Sequence, residues 1–432
     1  MKTWTPIAVP NPTNECDPLS FLGDAVSNHP DVFCFESRGK LFTFVNHPEL
    51  VKAAILNKDI VRTELLKSIT GDTILTTEGE FWARQRKAAL PVFTAKKTED
   101  YFSIFHRQCL AGLEKWTQSS GVLDFERELD QLTLAIVGES LFDQVVDQRF
   151  CDEFKVLLTR IGKITNSALF SHKLPIHPSD HKQITDAKNY IDEVAGDIVQ
   201  RSQGEKCGRL VKALKEKADN HTDEKSLSSY LRDEIITMLI AGHETTSVAL
   251  SWMLTEIAKR PEVEKNIVHE VDAVLCGRAC RAEHVPELKY LSCVLDEILR
   301  LYPPIWLVPR TAACDTAIQG INIKQGHSVL VCPYFLHRRS DFWASPGEFD
   351  ASRFSSNKES LPPYSYLPFY ASRHICLGKH FAYAEILSVI ATIYQSHRIK
   401  LINEEMPAVP IGLGSLRIRG GMRVTILPRH DS

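Results

Sequence analysis

The N-terminal stretch MKTWTPIAVPNPTNECDPLSF lacks an apolar run long enough to span a membrane, and it lacks the apolar centre of a secretion signal. No membrane anchor is therefore expected. A strong charge of either sign is also missing. Fifty-one Lys and Arg stand against 54 Asp and Glu, and a formal net charge of -3 gives no basic surface for nucleic acid. The 11 cysteines contain no CxxC pair, and Cys276 and Cys280 have no second Cys or His pair at zinc spacing. Scattered from Cys16 to Cys376, they suit unpaired thiols in a reducing cytosol better than a disulfide framework, so a cytoplasmic protein is expected. Internal repeats and low-complexity tracts are absent too.

What remains is ordinary globular usage: 432 residues, 44% hydrophobic and 24% charged, enough to bury a large core. Up to about Thr63, short apolar runs such as Val32–Phe35 and Leu41–Val45 alternate loosely, as in a small sheet. Helical periodicity then dominates, over Glu80–Ala89, Glu99–Trp116, Glu126–Leu141, Cys151–Leu169 and Ile184–Gln203. Gly204–Leu227 is Lys-rich and polar and reads as a surface connection or a frayed helix end. From Ser228 to Lys259 a long helix is expected, apolar nearly all round at Ile235–Ala241 and therefore threaded through the core. Helices follow over Pro261–Leu275 and Val285–Leu301, the latter stopped by Pro303 and Pro304. Ile305–Val331 favours short strands, Arg338–Tyr370 is irregular, Leu377–Ser396 is a last long helix, and Arg417–Leu427 alternates as a strand. The expectation is one mainly α domain, residues 1–432, with a minor β part. A long irregular segment before a lone cysteine points to function.

That cysteine, Cys376, ends the loop Phe369-Tyr-Ala-Ser-Arg-His-Ile and enters the last helix. Free N–H groups and the positive end of the helix dipole favour a thiolate there. Phe369 would shield the sulfur, and Gly378 would let a flat ligand approach the backbone. A buried cysteine before a helix is by itself far more often structural. Glu297 and Arg300 form an i,i+3 pair that means little alone, but Val294, Leu295, Ile298, Leu299 and Leu301 crowd it, and buried charges need partners. In the long apolar helix, Ala241-Gly-His-Glu-Thr places an acid and an alcohol, Glu244 and Thr245, where polar groups are costly. Trp82 and Arg86, four residues apart, put two donors on one helical face.

Together these segments resemble the cytochrome P-450 family. Its haem loop, Phe-x-x-Gly-x-Arg/His-x-Cys-x-Gly, is matched at Phe369, His374, Cys376 and Gly378 and departs at Ser372, where the family has Gly. Glu297-x-x-Arg300 with Arg353 resembles the family's three-charge lock, although Ala351 and Ser352 replace its usual neighbours. Ala241–Thr245 resembles its oxygen-activating segment, and Trp82-x-x-x-Arg86 its propionate-binding pair. Four motifs in the family's order run from Trp82 to Gly378.

The resemblance implies a helix-rich triangular prism and haem b, with Cys376 on the iron. It also implies Trp82, Arg86, Arg310 and His374 as propionate partners, and Glu244 and Thr245 as proton deliverers; the role of His337 stays open. The implied activity is monooxygenation of a hydrophobic or aromatic small molecule, by hydroxylation or epoxidation, in bacterial secondary metabolism or catabolism. Pocket walls are expected near Ile236 and Ile240, at Ile305–Val308 with the flat face of Trp306, and at Ile411–Ser415. With no fused reductase expected, electrons would come from a ferredoxin or flavodoxin and its NAD(P)H reductase. Arg84, Lys87, Arg373, Lys379 and His380 would form the docking patch on a monomeric protein. The alternatives are a peroxygenase or isomerase that needs no external electrons, against which Glu244-Thr245 argues, an oxidative coupling enzyme, and a non-catalytic haem sensor.

Overall fold

The computed structural model describes residues 7–9, 18–37, 39–63, 66–119, 121–157, 159, 178–202, 207–218, 227–356, 361–402 and 407–429. Helices dominate. The Leu227–Ala258 helix has 32 residues and spans about 48 Å at 1.5 Å per residue. Its side chains are buried on almost every side, as expected of a segment apolar all round. Phe125–Phe142 packs along it, and Gly242 sets how closely. A Cβ at Gly242 would lie 2.7 Å from Val137 Cγ2, so the glycine is a packing requirement of that crossing. On another side the helix meets Lys379–Ser396, which follows the cysteine loop.

The minor β part centres on a six-stranded mixed sheet ordered Ile7–Ala8, Val32–Ser37, Lys40–Val45, Ser328–Val331, Val308–Ala312, Ile60–Arg62. The expected early strands are present, but residues some 250 positions away complete their sheet. Pairing Ile60–Arg62 with Val308–Ala312 sets Arg62 directly opposite Arg310. Like charges in that relation repel unless an anion joins them.

Most expected helices are present, and the differences have local causes. Inside Gly204–Leu227, read as a surface connection or a frayed helix end, lies a separate packed helix, Arg209–Ala218. Leu210, Val211 and Leu214 form its fully buried stripe. Gly208 lets its start press on the helix ending at Phe142; a Cβ there would meet the Phe142 backbone at 2.3 Å. Of the expected Val285–Leu301 helix only Lys289–Leu301 is α-helical, and a separate 3-10 turn, Ala282–His284, precedes the expected start. Glu99–Tyr101 is likewise 3-10 ahead of the Phe102–Gln118 helix. Arg417–Leu427 is two strands, Leu416–Ile418 and Arg423–Pro428, parted by Gly420 and Gly421 at positive φ. Cys16 and most of the later half of Cys151–Leu169 lie outside the described residues. No helix of the described residues is long and apolar enough to cross a membrane.

The irregular segment before the cysteine is held from within. The Arg300 guanidinium donates to both oxygens of Glu297 at 2.7 Å and to the carbonyls of His337, Pro346 and Glu348 at 2.7–3.1 Å. Asp350 N–H (2.8 Å) and Arg353 Nε (3.3 Å) complete the shell of Glu297. Glu297 and Arg300 are entirely buried, so each satisfies a charge the core would otherwise not tolerate. His337 accepts a bond from Leu367 N–H at 2.8 Å, and burial pushes its imidazole down to about 3. It is a neutral acceptor anchoring the chain two residues before Phe369.

Candidate active site

The cysteine loop closes on itself through Cys376 N–H to Phe369 C=O, 2.9 Å, and Ile375 N–H to Ser372 C=O, 3.1 Å. Two non-glycine residues in it have left-handed backbones, Tyr370 and Ser372, both at φ 59°. Ser372 thus holds the turn for which the family loop uses Gly, at the steric cost a Cβ brings there. Cys376 is surrounded by protein atoms, yet its side chain remains accessible. Burial pushes its thiol up, against the opposing pull of the Gly378 N–H, Arg86 and Lys379. A thiol on a metal ion is deprotonated outright. Beside it, Gly378 has φ -84°, which any residue adopts, and a Cβ there would meet nothing within 4 Å. Among the described residues nothing crowds that glycine, which leaves room for a flat group against the loop.

Three arginines and a histidine gather near this loop. Arg62 and Arg86 each lie 5.7 Å from the Trp82 ring centre, and His374 meets the same ring edge-on at 5.1 Å. Arg310 lies 5.1 Å over Tyr370. Glu78 is the carboxylate among them: it bonds His374 Nε2 at 3.0 Å, accepts from Arg62 N–H at 3.3 Å, and lies 3.8 Å from Arg373. Burial pushes the Glu78 carboxyl up, but His374, Arg62 and Arg373 outweigh it and hold it below the usual range. Burial also drives Arg62 down to about 10 and lowers Arg86 and His374. Cations so crowded and desolvated call for further anionic charge. The buried Trp82 Nε1–H has no acceptor among the described residues. A dianionic ligand edge at this point would satisfy both demands, so these residues fit the two propionates of a haem.

Arg62 was not among the residues expected from sequence. Its contribution depends on strand pairing with Arg310, 248 positions later, and nothing in local spacing reveals it.

The long helix is less buried at one place. Ala241 is exposed and Ile240 and Thr245 are half-buried in an otherwise buried stretch. Thr245 Oγ1 donates to Ala241 C=O, 2.8 Å, leaving its lone pairs free to accept. Glu244 does not share that exposure. About 100° round the helix from Thr245, it is buried against the C-terminal hairpin, where Ser415 Oγ (2.5 Å) and Arg417 Nε (3.1 Å) donate to it. Structure thus brings Trp82, Arg86, Arg310, His374, Phe369, Gly378 and Cys376 into one region and sets Glu244 apart.

Among the expected pocket walls, Ile305 is well exposed and Ile411 and Leu413 half-buried, whereas Ile236 is wholly buried. Trp306 does not offer its flat face. It is buried under the hairpin, donating to Leu413 C=O at 2.9 Å, and a Cβ on Gly412 would lie 2.6 Å from its ring. A polar cleft of about 490 Å³ lined by Arg149, Glu153, Asp186 and Tyr190 shares no residue with this site.

A sequence model described as Cytochrome P450 matches residues 18–422. Cyclooctatin synthase of Streptomyces melanosporofaciens is 29% identical over 93% of this chain and 90% of its own length. Cyclooctat-9-en-7-ol 5-monooxygenase of the same organism is 27% identical over 89% and 85%. Human cytochrome P450 3A5 is 26% identical over 92% and 86%.

Proposed function

The chain belongs to the cytochrome P450 family, and from that premise we propose that Cys376 is its haem ligand and a hydrophobic small molecule its substrate. It is an oxidoreductase of the monooxygenase type, with haem b held through a cysteine thiolate. The observation that carries the ligand assignment is the setting of Cys376: accessible, under the charge of Arg86 and Lys379, and beside a glycine that no contact among the described residues requires. Trp82, Arg62, Arg86, Arg310 and His374 would hold the propionates. When bound, the haem supplies oxygen activation, one oxygen atom passing to substrate and the other leaving as water. The protein's part is to exclude water, orient the substrate and deliver protons. Thr245 moves a proton at its hydroxyl, which lies beside the exposed Ala241. Glu244, a carboxylate in its present setting, would relay protons between water and Thr245 once it leaves its present partners.

A hydrophobic substrate is supported by the apolar character of Ile240, Ile305, Leu307, Val308, Ile411 and Leu413, none of them fully buried. The relative named for cyclooctat-9-en-7-ol acts on a compound that is, by its name, an unsaturated alcohol. We assign this chain an unsaturated or aromatic hydrocarbon skeleton, attacked by hydroxylation or epoxidation.

Electrons would enter on the cysteine side from a ferredoxin or flavodoxin. Arg84, Lys87, Arg373, Lys379 and His380 are all exposed there, and Lys379 and His380 line a depression of about 600 Å³ with Ile375 and Phe102. Reduction by an acidic ferredoxin is expected to slow as salt rises, and a rate indifferent to ionic strength would exclude electrostatic docking. The ligand assignment is tested by the carbon monoxide difference spectrum of the reduced protein. Wild type is expected to give the red-shifted Soret band of thiolate-bound haem, and Cys376→Ala to lose it. A variant that kept the band would move the ligand elsewhere.

A further inference from the structure

The surroundings of Glu244 carry more than a single ion pair. Three carboxylates, Glu126, Asp130 and Glu244, converge on one guanidinium, Arg417, and all four side chains are buried. Arg417 donates to Glu244 through Nε and Nη2 and lies 3.4 Å from Asp130 and 3.8 Å from Glu126. Ser247 Oγ bonds Asp130, Ser415 Oγ bonds Glu244, and Ile418 N–H reaches Glu126 at 3.4 Å. If all were ionised, three negative charges would face one positive charge in the core, a cost relieved by keeping a proton in the cluster. Burial pushes the Glu126 carboxyl up, and Arg417 and Lys155 only partly offset it. Burial also acts on Glu244, but Arg417, His243 and Ser415 outweigh it and hold it ionised.

Ser415 and Arg417 belong to the hairpin Pro410–Ile418, whose Ile411 and Leu413 form part of the apolar wall assigned above. The hairpin is pinned to the long helix by Trp252 Nε1–H to Leu416 C=O, 2.7 Å, and to the segment before the Val308–Ala312 strand by Trp306 Nε1–H to Leu413 C=O, 2.9 Å. One short element therefore touches both the candidate substrate wall and the acid. We propose that Ser415 and Arg417 are positioning residues that store Glu244 away from the Thr245 face, and that substrate against the same hairpin releases it. This rests on the proton-delivery reading of Glu244 and Thr245. Its consequence is restraint: without substrate, the acid is withheld and few reducing equivalents are spent.

The test uses the haem-loaded protein with its redox partner. Substrate-free NAD(P)H oxidation, in which each NAD(P)H with a proton reduces O₂ to H₂O₂, is expected to be slow in wild type and to show a large solvent deuterium effect. Ser415→Ala and Arg417→Lys, which keep the cluster's charge, are expected to raise that rate severalfold and to bring the isotope effect towards one. In resting protein without turnover, the infrared carboxylate band assigned to Glu244 by comparison with Glu244→Gln should shift in both variants. The charged and titratable groups around Glu244 are His243 on its own helix, Asp130 and Glu126 on the neighbouring one, Cys151 beyond them, and Arg417. If both variants leave rate, isotope effect and band unchanged while Glu244→Gln and Thr245→Ala uncouple substrate turnover, the hairpin only supports the fold and the proposal falls. If Glu244→Gln and Thr245→Ala themselves leave turnover fully coupled, the proton-delivery reading fails first and takes this inference with it.

Discussion

Two residues of the cysteine loop bear the same left-handed backbone for different reasons. Tyr370 buries most of its ring and is engaged by Arg310, so its strain is offset by contacts a glycine would forfeit. Ser372 is exposed, and only its backbone carbonyl has a stated role, accepting from Ile375 N–H. Its Cβ brings strain of about 1 kcal/mol and nothing in return. Ser372→Gly is therefore expected to stabilise the protein, by somewhat under about 1 kcal/mol once the looser unfolded chain is counted. A urea titration followed by the Soret band would show the midpoint rise with the thiolate spectrum intact. A lower midpoint would mean the hydroxyl has a partner that matters. The departure at this position was visible in the sequence, but the sign of its effect depends on φ, which only the fold reveals.

At the scale of elements, a single helix turn holds the long segment that presents Cys376. Glu297 and Arg300 neutralise each other in the core, while Arg300 also ties down three carbonyls from residues 337 to 348. Removing one partner of a buried pair leaves the other charge stranded, at a cost of about 3–5 kcal/mol. Arg300→Met is thus expected to lose the thiolate Soret band at low urea while far-ultraviolet dichroism still reports helix. Arg300→Lys should fare little better, since a point charge cannot serve both carboxylate oxygens and three carbonyls at once. Simultaneous loss of both signals only at the wild-type midpoint would show that the lock is dispensable. The sequence made this lock legible because Glu297 and Arg300 are three residues apart among apolar neighbours. It concealed the hold on Glu244, whose partners lie 171 and 173 positions away, just as it concealed Arg62 facing Arg310. The Arg209–Ala218 helix was hidden differently: its lysines dominate the composition, while its stripe is only Leu210, Val211 and Leu214. Local periodicity and short spacing were readable, whereas pairings set by tertiary packing were not.

For the molecule as a whole, response to acid follows from groups that fold into places where they resist protons. His337 is wholly buried, accepts from Leu367 N–H, and is pushed down to about 3 from an unfolded value near 6.5. Because its folded value is depressed, the unfolded chain takes up the proton first. The stability it contributes is complete above about pH 6.5 and is lost as pH falls towards 3, with about 2 kcal/mol gone by pH 5. His374, His106 and His397 are also lowered, chiefly by burial, and their contributions have the same sign. Glu78 and Glu244, held below the usual carboxylate range, extend the loss further into acid. Glu126, which is raised, works the opposite way, being better accommodated as pH falls and less so as pH rises. Since His337 anchors the chain two residues before Phe369, its protonation should loosen the cysteine loop before the helices melt. Urea midpoints taken from pH 7 to pH 5 should fall steeply, with the Soret signal lost ahead of the dichroism. His337→Gln keeps an acceptor for Leu367 N–H but cannot take a proton in this range, so its midpoints should fall by markedly less over the same interval. Equal slopes for wild type and His337→Gln would show that the acid sensitivity arises elsewhere, and would remove His337 as the group that ties the loop to pH.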